Sequence, residues 1–253
     1  MVDSSNADES ILEGVISIRA ALRSGNRTVH ALYISLDRDH RATAGLEHLA
    51  IDRGIPVRRA TRDLIDKRTE GRRHGGVMAV VGPRRFLQPE DLLPPDRPAC
   101  IAMLDGVEDP YNFGAAIRSL YAAGVDGLVI RPRNWMSAAG IVARSSGGAS
   151  ELMPTALVET SSDAVDLFEA HGLAIACTTR ESAVSIYDAD LTVPLFLLIG
   201  GEQRGISRSV LRKATLRLRI PYARGGIDSL GTSAATAALA FEIMRQRRAV
   251  ERG

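Results

Sequence analysis

Five of the chain's 11 prolines (Pro83, Pro89, Pro94, Pro95 and Pro98) fall in the 17 residues from Gly82 to Pro98. Proline locks its own backbone angle and removes a hydrogen-bond donor, so a run this dense reads as connecting chain. Residues 83–98 are therefore expected to be a linker dividing the 253 residues into two parts. Both parts alternate short apolar runs with amphipathic segments, the signature of α/β architecture.

In the first part, residues 1–10 are expected to be disordered. Their sequence, MVDSSNADES, is acidic and polar, unlike a signal or transit peptide. Ile11, Val15, Ile18 and Leu22 recur at helical spacing, predicting a helix over Ile11–Ser24 that Gly25 stops. Ala31–Leu36 reads as a strand, Arg41–Arg53 as a helix ended by Gly54, and Ile55–Arg58 as a short strand. A helix over Arg62–Arg68 and a buried strand over Gly76–Val81 complete a small α/β domain at 11–82.

The second domain, 99–253, opens on the strand Ala99–Leu104, followed by a helix over Asn112–Ala123 and a strand over Asp126–Ile130. A short helix at Ala138–Arg144, a strand at Met153–Val158 and a helix at Ser162–His171 come next. Strands at Ala174–Cys177, Phe196–Ile199 and Leu216–Ile220 precede a long alanine-rich helix, Ala234–Arg248. A mainly parallel sheet with helices on both faces is expected. Such a fold hosts many activities and identifies none.

Composition excludes several classes. With 45% hydrophobic and 25% charged residues the chain is far from disordered. Cys100 and Cys177 are too few and too far apart for a disulfide scaffold, and no metal-ligand spacing occurs. No window approaches the roughly 20 apolar residues that cross a bilayer. These features point to a cytoplasmic protein with no membrane partner. A net charge of +2 does not by itself require nucleic acid. Of the 32 basic residues only Lys67 and Lys213 are lysines, which leaves 30 arginines. A GC-rich genome accounts for that bias, although arginine also suits phosphate and base stacking. One cluster stands out, Arg58–Arg73, with seven basic residues against three acidic ones. It fits a solvated helix face or an RNA-binding surface equally well.

Three segments carry glycine and polar residues just after apolar strands, where ligands bind in open α/β sheets. In the first, Leu104–Leu120, Asp105-Gly106 ends a strand, Asn112 is placed to cap the following helix, and Arg118 lies inside it. Read blandly, these are a cap and a surface arginine. In the second, Leu197–Ser207, a buried strand runs into Gly200-Gly201, then Glu202 and Gly205; glycine there lets the backbone approach a ligand, and Gly205 fits a positive φ angle. The segment is neither a Walker loop nor a dinucleotide fingerprint. In the third, Leu218–Arg247, small residues from Ser229 to Ala235 allow close packing before a helix N-terminus.

Taken in order, these segments resemble the three motifs of the SpoU (TrmH) family of RNA methyltransferases, in the SPOUT superfamily. Asn112-Phe113-Gly114 with Arg118 is similar to its first motif. Gly200-Gly201-Glu202 with Gly205 is similar to the second. Ile220-Pro221 and Asp228-Ser229-Leu230, followed by a helix with Glu242 and Arg245-Gln246-Arg247, are similar to the third. In the first half, Gly14, Ala20-Ala21-Leu22, Gly54-Ile55-Pro56 and His74-Gly75-Gly76-Val77 resemble the ribosomal-protein-like substrate-binding domain of many members.

The resemblance implies transfer of a methyl group from S-adenosyl-L-methionine to a ribose 2′-hydroxyl of RNA, without a metal. It implies a C-terminal SPOUT domain with a deep trefoil knot and a homodimer formed by the catalytic domains. The final helix offers alanines for close approach and a polar end, Arg245–Arg248, that is expected to remain in water. Carried over by position, cofactor contacts fall at Gly200, Ile220 and Leu230. Arg118 matches the arginine proposed to help deprotonate the hydroxyl, and Asn112, Glu202 and Ser229 match polar residues that organise the site. A two-domain layout favours ribosomal over transfer RNA, by analogy. Two departures stand out: Gly231 replaces the family's usual asparagine, and Gly75 replaces a common glutamine. Gly231 keeps a second reading open, an RNA-binding or ribosome-associated protein on the same scaffold without transfer activity. An unrelated nucleotide-binding enzyme would explain the glycines but not the ordered motif set.

Overall fold

The structure is a computed structural model that describes residues 9–69, 74–132, 139–179, 183–201, 205–226 and 229–252. The chain divides into two compact units, residues 1–85 with 143–152, and residues 86–142 with 153–253. The second half of the sequence thus lends a short segment to the first unit.

The first unit is built on a four-stranded sheet in the order β1 (Ser10–Glu13), β4 (Val77–Arg84), β2 (Arg27–Ser35), β3 (Val57–Ala60). β1 and β2 run antiparallel to β4, and β3 runs parallel to β2. Helices α1 (Val15–Ser24) and α2 (His40–Ile51) bury Ile18, Ala21, Leu22, Leu46 and Ala50 against Leu32, Ile34, Val77 and Val81. A short helix, α3 (Arg62–Arg68), buries Ile65. The helix expected from Ile11 is in fact a strand up to Glu13 and a helix only from Val15. Gly14, at φ 79°, separates them in a backbone conformation that ends the strand and cannot propagate a helix. Ile11 fits helical spacing, yet the pairing of Ile11 with Val80 and of Leu12 with Ala79 takes this segment into the sheet.

The second unit carries seven parallel strands in the order β7 (Thr155–Leu157), β6 (Gly127–Ile130), β5 (Cys100–Asp105), β10 (Leu195–Gly200), β8 (Ala174–Thr178), β11 (Leu216–Arg219), β9 (Val184–Ser185). Covered on both faces, its central strands read as unbroken apolar runs such as LFLLI. On one face Ile101, Met103, Phe196 and Leu198 pack with Val165 and Phe168 of α7 (Ser161–Ala170) and Val210 of α8 (Arg208–Lys213). Elsewhere in this unit α4 (Pro110–Ala122) packs against α9 (Thr232–Val250). Between β6 and β7 lie α5 (Ala139–Ser145) and α6 (Ala149–Leu152).

The proline-rich stretch is packed. Pro89–Leu92 forms a 3-10 turn, Leu87 bridges to Ala156, and Leu92 is buried under Gly127, where a Cβ would lie 2.9 Å from its side chain. Two further expectations change. The cap of α4 is Asp109, whose carboxylate accepts from the Asn112 N–H at 2.9 Å, so Asn112 sits in the first turn behind Pro110. The polar end of α9 is an anchor. Gln246 accepts from the Leu191 N–H at 2.9 Å, and Arg247 donates to the carbonyls of Pro98, Ala99 and Val193 at 2.6, 2.9 and 2.8 Å. The Ala99 carbonyl also accepts from the Leu195 N–H at 2.9 Å, so Arg247 takes its second lone pair, and the guanidinium fork meets several carbonyls at once.

Candidate functional site

From β5 the chain proceeds outward to β6 and β7, then returns beyond β5 to lay down β8, with β10 inserted between β5 and β8. The carboxyl ends of β5 and β10 therefore flank the point where the strand order reverses, the place where open α/β sheets form a ligand crevice. Asp105 and Gly200, the last residues of these two strands, are paired neighbours.

The glycines after these strands are explained by how closely two loops approach. A Cβ on Gly201 would lie 2.0 Å from the Gly106 carbonyl oxygen, and a Cβ on Gly200 would lie 2.9 Å from Gly205 Cα. The Gly201 N–H donates to the Asp105 carbonyl at 2.7 Å, and the Gly205 N–H to the Gly201 carbonyl at 3.1 Å. Gly205 holds φ +60°, as its position required. The expected close approach is thus primarily chain against chain; a ligand meets what remains exposed. Gly201→Ala is expected to cost about 1–3 kcal/mol from forced displacement of the Gly106 loop. Denaturant unfolding measures that cost, and calorimetric titration with S-adenosylhomocysteine should show binding lost.

Beside this stacked pair opens a cavity of about 570 Å³. Gly200, Ile220, Ser229 and Leu230 all line it, so residues from the second and third segments, some 20 to 30 positions apart, share one wall. Thr178 and Thr179 at the end of β8, Leu218 and Arg219 of β11, Tyr222, and Thr232, Ala235 and Leu239 of α9 complete much of the lining. The Gly200 N–H donates to Thr178 Oγ1 at 3.3 Å, tying two strand ends together. α9 meets the cavity with its N-terminal turns, which brings the positive end of the helix dipole to the wall. The size falls within the range of pockets for nucleoside-sized ligands, about 300–1,000 Å³.

Asn112 is half-buried and Arg118 exposed, and neither is among the described residues lining the cavity. Arg118 has no hydrogen bond or ion pair among the described residues. Glu202 and Asp228 lie outside the described residues. Asp105 is buried and faces Arg131 at 3.3 Å. Burial pushes the Cys177 thiol up to about 12 and the Cys100 thiol up to about 11, so both stay protonated at neutral pH and neither is a nucleophile. Sequence reasoning missed Thr178, Thr179, Tyr222 and Leu239. The two threonines carried a usable signal, polar residues at the carboxyl end of an apolar strand; the other two carried none.

Residues 99–241 match the model of the SpoU rRNA Methylase family, and residues 11–87 match the one described as RNA 2'-O ribose methyltransferase substrate binding. The chain is similar to the 23S rRNA (guanosine-2'-O-)-methyltransferase RlmB of Pseudomonas putida, at 32% identity over 92% of this chain and 95% of the relative. It is also 33% identical to an uncharacterized tRNA/rRNA methyltransferase of Mycolicibacterium smegmatis, over 86% of this chain and 71% of that one. Among solved structures it resembles the SpoU methyltransferase AviRb from Streptomyces viridochromogenes in complex with AdoMet. That match has a TM-score of 0.80 and 25% identity over 97% of this chain and 93% of the other. An AdoMet-bound rRNA methyltransferase from Sinorhizobium meliloti matches with a TM-score of 0.79 and 25% identity, over 94% and 87% of the two chains.

Proposed function

The chain belongs to the SpoU rRNA methylase family, and from that membership we propose that it methylates a ribose 2′-hydroxyl of ribosomal RNA, using S-adenosyl-L-methionine. The observation that carries this reading is the convergence of Gly200, Ile220, Ser229 and Leu230 on one cavity at the switch point of the sheet. The donor set fits such a cofactor. Ile220, Leu230 and Leu239 offer apolar surface to an adenine, while Thr178, Thr179 and Ser229 offer hydroxyls to its ribose and amino-acid ends. When bound, the cofactor supplies a sulfonium methyl that needs no metal to be displaced.

The chain's own part is alignment and charge. A ribose hydroxyl is a poor nucleophile at neutral pH, and its proton must be removed or shared as it attacks. Arg118 is a poor literal base, because a guanidinium stays protonated far above neutral pH. We assign it to the neighbouring phosphate and to the developing alkoxide charge. Asn112, Glu202 and Ser229 are assigned to ordering the reacting groups. Transfer of labelled methyl from the cofactor into unmodified 23S ribosomal RNA, with the product resistant to alkaline cleavage at one linkage, tests the reading. RNA binding without transfer would favour the second reading. Gly231 speaks for that alternative, because it caps α9 without any side-chain hydrogen bond.

We propose a cytoplasmic homodimer whose catalytic units are knotted. The insertion of β10 beside β5, with the loops after the two strands stacked backbone on backbone, is what a chain threaded on itself requires. Tyr111 and Tyr121 of α4 and Phe241 of α9 are 55%, 41% and 43% exposed, an unusual aromatic surface for a free face. Arg118 is exposed on the same helix, so a partner's cavity is a natural target for it. Sedimentation is expected to give twice the chain mass, and dilution should cost activity before secondary structure. A fully active monomer would refute the dimer.

RNA is further expected to lie along the first unit. Within the basic cluster, Arg59 is held by Glu47 at 3.0 Å, Arg62 by Asp37 at 3.4 Å, and Arg58 lies over the Tyr33 ring at 5.8 Å. Lys67 and Arg68 are exposed on α3 and unpaired among the described residues, whereas Arg72 and Arg73 lie outside those residues. Reversing Lys67 and Arg68 to glutamate should weaken RNA binding and flatten its dependence on salt by about one to two counterions. An unchanged slope would make α3 a solvated face.

A further inference from the structure

β11 leaves the sheet at Arg219, and the chain runs through Ile220, Pro221 and Tyr222 before returning at Ser229 and Leu230 to start α9. Both ends of this excursion are cavity wall. Gly231, the N-cap of α9, has no side chain with which to brace the helix start. What joins the two ends is Tyr222. Its phenol oxygen accepts a hydrogen bond from the Leu230 N–H at 3.0 Å, across eight positions of sequence. Among the described residues this is the one side-chain hydrogen bond made to the main chain of residues 229–231.

We infer that Tyr222 is a positioning residue for the cofactor. By pinning the Leu230 N–H it ties the chain just after β11 to the residues that lead into α9, and holds Ser229 and Leu230 as a preformed wall of the cavity. The inference rests on the proposed reading that the cavity takes S-adenosyl-L-methionine. The physical basis is preorganisation. Tyr222 is 42% exposed and Leu230 is partly buried, so the bond does little for the core, yet it removes freedom that a ligand would otherwise have to remove on binding. Phenylalanine retains the ring against the cavity and deletes only the acceptor.

The test uses the full-length protein, with S-adenosylhomocysteine as calorimetric probe. Tyr222→Phe is expected to weaken its binding about three- to tenfold, the loss of one neutral hydrogen bond. In the transfer assay KM for the cofactor should rise correspondingly, with kcat and RNA affinity nearly unchanged, and the unfolding midpoint without ligand should not move. Adding Gly231→Asn to Tyr222→Phe places a capping side chain on the same loop and should recover part of the affinity. Unchanged affinity in Tyr222→Phe overturns the proposal. So does a loss that Gly231→Asn leaves untouched, which would assign the effect to a direct contact between the phenol hydroxyl and the ligand rather than to the pinned Leu230. If the unaltered protein itself does not bind the probe, the reading of the cavity fails, and this inference falls with it.

Discussion

Replacing Arg118 by alanine is expected to reduce methyl transfer by about 10²–10³-fold, the cost of deleting one group that stabilises developing charge. Cofactor affinity should stay within a few-fold. The separation follows from geometry. Gly200, Ile220 and Leu230 line the cavity, whereas Arg118 is exposed on α4 and absent from the described lining. A residue with no hydrogen bond or ion pair among the described residues and no place in the described lining has little structural work to lose, so unfolding should be unaffected. Calorimetric titration beside single-turnover transfer measures both quantities. Full activity in Arg118→Ala would remove the role assigned to it. A parallel loss of cofactor binding would place the residue at the cofactor instead.

The largest effect on stability is expected at Glu151. Its carboxylate accepts from Arg27 Nε at 2.8 Å and Arg27 Nη2 at 3.0 Å, and the two side chains are 0% and 3% exposed. Its carbonyl accepts from the Asn26 side chain at 3.1 Å. Arg84 is buried nearby; burial pushes its guanidinium down to about 10, an effect the charge of Glu151 partly offsets and that of Arg27 reinforces. Arg84 therefore remains cationic at neutral pH, and its desolvation cost is relieved only as pH rises past about 10. Breaking a buried pair by removing one partner costs about 3–5 kcal/mol. Glu151→Ala leaves the buried Arg27 guanidinium without its carboxylate and removes the charge that partly offsets the desolvation of Arg84, so it should cost more than Arg27→Ala, which leaves Glu151 the Arg84 charge. A joint Arg27→Met, Glu151→Leu replacement should cost markedly less than either. Denaturant unfolding of the three variants checks the order, and equal, small losses would show that water reaches the pair.

This ion pair also marks a limit on what local sequence can convey. Glu151 stands 124 positions from Arg27, beyond the proline-rich stretch, and residues 143–152 read naturally as part of the second domain. Only the contact pattern assigns them to the first unit. β9, two residues long at a sheet edge, carries too little pattern to be seen at all. The fate of Arg247 was equally hidden. A run of arginines at a helix end is ordinarily solvated, and it took the folded positions of Pro98, Ala99 and Val193 to turn that side chain into an anchor.

Other features were legible because their causes are local. β5, β8 and β10 lie within a residue or two of their apolar runs, because a strand covered on both faces must be largely apolar along its length, whereas β11 shows the alternating Leu-Arg-Leu-Arg of a strand buried on one side. α3 starts and ends where its pattern does. The positions Gly200, Ile220, Ser229 and Leu230 were named through their resemblance to the family's motifs, which the order of residues along the chain carries by itself. That they surround a single cavity, that Thr178 and Thr179 join them, and that Tyr222 pins Leu230 depend on the placement of β10 between β5 and β8. Strand order is settled by which buried faces fit together across the whole sheet. Periodicity along the chain reports which face of an element is buried, and the tertiary fold alone decides what it is buried against.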